Sequence, residues 1–167
     1  SPFSSTVLSA TYSEVLMEYS EVEFILSENK GWNQANYEAG VRASMEKWGV
    51  AQAKVDAYVA ALPAANKENV ITQKYIALYM QPQTAWVEYR RTGYPNGSIL
   101  LLPGATGYEI DGTPYTFTPL VAGMTDIPSR IAYPLSEQTI NRANWTSAVA
   151  TYGGQDPING KLWWMTR

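Results

Sequence analysis

Three aspartates stand where acid–base chemistry is usually sought: Asp111, Asp126 and Asp156. A glycosidase needs two carboxyl groups held roughly 5–10 Å apart across the bond it breaks. All three aspartates sit in turn-like contexts (DGT, TDIPS and QDPING), where the side chain is favoured because it bonds to its own backbone. No pairing signature joins two of them, so no catalytic residues are assigned. QDPING also sets Asp156 and Asn159 in one tight loop, with oxygens that suit calcium, but the loop lacks the acidic density of a dedicated site. A row of glutamates, Glu14, Glu18, Glu21 and Glu28, has helical spacing and reads as a solvated helix face. The chain has no histidine and no cysteine, which excludes histidine general bases, cysteine nucleophiles, thiolate metal sites and disulfides within it. No metal or cofactor is expected.

The charge balance narrows the partners. Net charge is −3 over 167 residues, so a nucleic-acid backbone is not expected as the main partner. Arg90 and Arg91 in TAWVEYRRTGYP have no wider basic field around them. Aromatics are more telling, with 12 Tyr and 6 Trp against 3 Phe. Tyr and Trp carry a flat apolar face and a polar tip, which suits sugar platforms as well as packing between helices. No run approaches the ~20 apolar residues of a membrane span. The opening SPFSSTVLSATYS lacks the basic and apolar regions of a signal peptide.

The elements that must position these residues fall into two parts. Residues 12–92 show helical periodicity. A first helix is expected over 12–29, with Tyr12, Val15, Tyr19, Val22 and Leu26 as its apolar stripe. A second follows over 33–48, and its strip of Ala39, Gly40, Ala43 and Ser44 lets a neighbouring helix come close. Together they form an αα-hairpin. An Ala-rich third helix runs over 50–62 and a fourth over 66–81. Pro82 opens a fifth at the first position, where proline is tolerated. Trp86 and Tyr89 share one face of that helix and are expected on the preceding helix. Arg90 and Arg91 complement its dipole, and Glu88 is placed to pair with Arg91. Residues 93–167 are irregular. Ser98–Leu102 reads as a short buried strand, Asp111-Gly112 as the turn of a small hairpin over 108–117, and 136–150 as one helix stapled by Leu135 and Ile140. The fold class is mostly α: tetratricopeptide-like αα-hairpins, then a loop-rich C-terminal region with one further helix and short strands.

Five stretches, in order, carry a resemblance: YSEVLMEYSEVEFILSENKGW, YEAGVRASMEKWGV, ITQKYIALYMQPQTAWVEYRRTGYP, IPSRIAYPLSEQTINRANW and GGQDPINGKLWWM. Together they resemble the SusD/RagB-type outer-membrane nutrient-binding lipoproteins, in the SusD-like subgroup. The resemblance implies a non-enzymatic, cell-surface protein that binds glycans or other nutrients with a SusC-like TonB-dependent transporter. It also implies a C-terminal portion, partnered by an N-terminal part through which the protein is lipid-anchored. Four loop aromatics, Trp32, Tyr94, Tyr108 and Tyr115, are the candidates to meet a sugar ring. The alternative is a helical-repeat scaffold that binds protein and no glycan.

Overall fold

The computed structural model describes residues 7–13, 15–97 and 99–165. Two compact units share the chain, Ser1–Gln81 and Pro82–Arg167.

The first unit is helical: α1 (Tyr19–Asn29), α2 (Gln34–Lys47), α3 (Gln52–Ala60) and α4 (Lys67–Ala77). Asn33 and Asn66 start α2 and α4, their side chains accepting the backbone N–H of Asn36 at 3.1 Å and Asn69 at 2.9 Å. Caps of this kind are each worth ~1 kcal/mol. Phe24, Tyr37, Val41, Val55 and Val70 make the core, which α1 joins by packing on both α2 and α4. The Phe24 and Tyr37 rings lie tilted with centroids 6.5 Å apart. Burial pushes the Tyr37 phenol up to about 12, so it stays neutral there. The small-residue strip of α2 does what its composition suggests. A Cβ on Gly40 would fall 2.9 Å from the Phe24 ring, so only glycine admits α1 at this distance.

Two expectations about α1 fail for one reason. The helix begins at Tyr19, not residue 12, and its buried face is Ser20, Phe24 and Ser27, while Tyr19 is 66% exposed. Glu18 holds extended backbone just before the helix and is buried, bonded to Lys47, to Gln81 at 3.2 Å and to the Ser20 hydroxyl at 3.3 Å. This tertiary ion pair fixes where the helix starts, and it outweighs the local periodicity. The glutamate row is therefore no solvated face. Glu18 and Glu21 are buried and Glu28 is half-buried; Glu14 lies outside the described residues.

The second unit holds α5 (Pro82–Thr92), the strands β1 (Thr106–Tyr108) and β2 (Pro114–Thr116), the helices α6 (Leu135–Ile140) and α7 (Arg142–Ala150), and a 3₁₀ turn at Trp163–Met165. β1 and β2 pair antiparallel with Gly107 opposite Tyr115. The expected turn closes them: Gly112 takes φ 87°, and Asp111 accepts the Thr113 N–H at 2.9 Å. Two details differ from the sequence reading. Ile99 and Leu101 are 45% and 38% exposed and form no strand, because the Ile99 N–H turns back to Asn96 O; Ser98 is outside the described residues. The stretch over 136–150 is broken at Asn141, whose side chain bonds Glu137 on one side and Asn144 on the other. Such local bonds compete with the helix. Leu135 and Ile140 are 77% and 87% exposed, so no staple forms.

Candidate functional site

The four aromatic candidates occupy different settings. Trp32 follows Gly31 at the end of α1, with a left-handed φ of 68° held by its N–H bond to Ser27 O at 2.7 Å. Its side chain is half-buried and packs against the core of the first unit. Tyr94 is half-buried just past α5, its N–H bonded to the Thr92 hydroxyl at 3.2 Å. Tyr108 and Tyr115 share the β1–β2 ribbon, 71% and 39% exposed. Gly107 opposes Tyr115 and Pro114 opposes Tyr108. Directly opposite residues project to the same side and neighbours alternate, so the two tyrosines stand on opposite faces. The Tyr115 ring lies over Gly107, where an added Cβ would come within 2.6 Å of it.

Beside the ribbon lies an apolar hollow of about 420 Å³, lined by Leu101, Pro103, Phe117, Leu120, Met124 and Ile127 among others. Its volume is in the ~300–1,000 Å³ range of small-molecule sites, but it offers almost no polar group to orient a sugar.

The polar chemistry of the second unit is concentrated elsewhere, in two arginine–aspartate pairs. Arg90 is buried at the end of α5 and donates to Asp126 at 3.3 Å, to Ile127 O at 2.6 Å and to the Ser129 hydroxyl. Tyr89 donates its hydroxyl to Asp126 at 2.6 Å, and Trp86 its indole N–H to Pro128 O at 3.1 Å. Trp86 and Tyr89 therefore address the 126–128 segment, where the sequence reading had them on a helix. The Glu88–Arg91 pair forms as its spacing suggests, at 2.9 Å.

The second pair, Arg130–Asp156, is buried on both sides. Arg130 also lies over the rings of Tyr133, at 4.8 Å, and Tyr152, at 5.1 Å. Burial acts to raise the pKa of Asp156. The Arg130 guanidinium and the Tyr133 N–H at 2.7 Å outweigh it and hold the carboxyl below its ordinary value. Asp126 and Asp156 thus each neutralise an arginine. Asp156 spends its oxygens on Arg130 and Tyr133. Among the described residues no group of three acidic side chains is placed to hold a metal. The sequence reading missed both pairs. Nothing in the spacing of Arg90 and Asp126, or of Arg130 and Asp156, signals either pair.

Among the described residues no helix is long and apolar enough to cross a membrane. Comparison with known proteins matches residues 3–113 to a SusD-like family described as "Starch-binding associating with outer membrane". Among solved structures, a chitin-binding protein is 30% identical with a TM-score of 0.63, over 89% of this chain and 33% of its own. A Bacteroidetes SusD-like protein, AC2a, is 29% identical with a TM-score of 0.69, over 92% of this chain and 30% of its own. An outer membrane protein from Bacteroides vulgatus, described in connection with nutrient binding, is 25% identical with a TM-score of 0.54, over 91% of this chain and 34% of its own. The chain spans about a third of the length of these structures. No curated protein sequence matches it. The family match covers most of the chain, and the chain belongs to the SusD-like family.

Proposed function

We propose that the chain is part of a non-enzymatic glycan-binding protein of the outer-membrane surface, lipid-anchored through an N-terminal part, that delivers oligosaccharide to a SusC-like TonB-dependent transporter. Membership of a family described as starch-binding and associated with the outer membrane carries this reading. The arginine–aspartate pairs support the non-enzymatic part, since they leave Asp126 and Asp156 engaged. Within this chain the ribbon tyrosines are the best-presented sugar contacts: Tyr108 is the more exposed, and the two stand on opposite faces of the ribbon. Trp32 and Tyr94 are held by packing and backbone bonds and are weaker contacts.

Affinity electrophoresis of the full-length protein through gels carrying starch, chitin fragments and other glycans tests the reading. Retardation by at least one glycan is expected, reduced by Tyr108→Ala or Tyr115→Ala with no change in melting temperature. If no glycan retards the protein while it still co-purifies with a transporter, the scaffold alternative replaces it. Release of sugar from any glycan by the pure protein would contradict the non-enzymatic part.

A further inference from the structure

The apolar hollow of the second unit and the β1–β2 ribbon share a face. Phe117 lines the hollow, with Leu101, Pro103, Leu120, Met124 and Ile127. The ribbon's pairing runs on through Phe117: its N–H donates to Ala105 O at 2.9 Å, and its carbonyl accepts the Gly104 N–H at 2.9 Å. Side chains two apart on an extended strand project to the same side, ~7 Å apart along the chain. Tyr115 and Phe117 therefore stand on one face, and Tyr108 on the other. Gly107 opposes Tyr115 and sets how that ring lies. An added Cβ there would fall 2.6 Å from Tyr115 Cζ and 2.7 Å from its hydroxyl oxygen. The ring thus leans across the neighbouring strand and covers Gly107, with the residue still 39% exposed.

The two surfaces differ in chemistry. Asp126 is the only charged side chain on the wall of the hollow, and its carboxylate is engaged by Tyr89, Arg90 and the Ile127 N–H. A sugar hydroxyl that entered would give up water for an almost wholly apolar wall, which is unfavourable. An alkyl, acyl or aryl group gains by the same transfer. The volume of about 420 Å³ accommodates such a group. Tyr115 offers the opposite: a flat face and a polar tip, which suit a sugar ring. Side by side on one face, the two surfaces match a molecule with a sugar at one end and an apolar group at the other.

We propose that the hollow holds the apolar substituent of a saccharide, an acyl chain or an aromatic aglycone, while the sugar joined to it lies on Tyr115. This rests on the reading of Tyr115 as a sugar contact and adds the class of ligand. The test is isothermal titration of the full-length protein with methyl, butyl and hexyl β-glucoside, phenyl β-glucoside and hexanol, all below micelle-forming concentrations. Affinity is expected to rise from methyl to hexyl, by up to about fourfold for each methylene that leaves water. Hexanol, which carries no sugar, binds several-fold more weakly than hexyl glucoside, and Tyr115→Ala removes that difference. Leu101→Asp, at a wall position already 38% exposed, erases the gain from methyl to hexyl. Leu120→Asp, at a fully exposed wall position, decides the matter if Leu101→Asp melts lower. A gain over methyl glucoside with hexyl or with phenyl supports the proposal, and the larger of the two tells a chain from an aromatic ring. Equal affinities for methyl, hexyl and phenyl glucoside, an undiminished gain in both aspartate variants, or hexanol binding as tightly as hexyl glucoside each overturn it. If a glycan is retarded in a Tyr115-dependent way while chain length changes nothing, Tyr115 remains a sugar contact and the hollow has no part in binding. If no glycan is retarded and hexanol equals hexyl glucoside, the sugar contact itself has failed.

Discussion

At the scale of single residues, the second unit is organised by cations that look generic in the sequence. Arg90 reads as a dipole-matching residue in a last turn, and as such would be worth a few tenths of a kcal/mol. Buried with three oxygen partners, it does more. Arg90→Ala is expected to cost about 1.5–3 kcal/mol, the range for hydrogen bonds to a charged group. A fall in urea midpoint at constant slope would register it; an unchanged midpoint would contradict the burial. Asp156 gives a pH signature. Its folded carboxyl titrates below its ordinary value, so the stability it adds is complete above about pH 4 and drains away as pH falls through the lower folded value. Asp156→Asn should therefore melt lower than wild type at neutral pH, with the gap closing as pH drops from about 5 to about 2. A gap that stays constant would show that the carboxylate charge contributes nothing. Neither arginine pair was legible in advance, because each joins residues 26 or more apart through bonds that spacing does not encode.

At the scale of elements, periodicity located the helices well where the local signal was unopposed. Asn33 and Asn66 stand where α2 and α4 are expected to start and cap them, Pro82 opens α5, and Asp111-Gly112 turns the ribbon. Legibility failed where a distant or competing bond intervened. Glu18 reaches Lys47 and Gln81 and delays α1 by seven residues against the start its stripe suggested. Asn141 bonds along the chain in both directions and splits one helix into α6 and α7. Leu16 has the right spacing for a buried stripe yet is 91% exposed, since the helix that would have turned it inward has not begun. The close approach of α1 to α2 gives the element-level prediction. Gly40→Ala would put a methyl carbon 2.9 Å from the Phe24 ring, which is itself 1% exposed and has no room to retreat. A loss of about 1–3 kcal/mol is expected from overpacking, despite alanine's better helix propensity. Thermal unfolding that rises instead would mean the helices sit farther apart.

At the scale of the whole molecule, the resemblance carried by five stretches in order was the sound guide, and the family match over residues 3–113 bears it out. The four candidate aromatics were harder to rank, because the sequence marks loops but not exposure: Trp32 lies against a core while Tyr108 stands in solvent. Binding of a neutral oligosaccharide should change little between about 0.05 and 0.5 M NaCl, since no charge is neutralised. Titrations at the two ionic strengths check this, and a neutral glycan that weakened steeply would implicate charge where none is expected. The ribbon of residues 106–116 sets a further condition on what can be held. Its two tyrosines look in opposite directions, so a ribbon that binds sugar as proposed would be a blade with one grip on each side, not a shelf. A straight chain lying along either side meets a single ring, while a branched chain can straddle the edge and meet both. Of two oligosaccharides equal in composition and length, the branched one should lose more affinity when Tyr108 and Tyr115 are removed together than the separate losses predict.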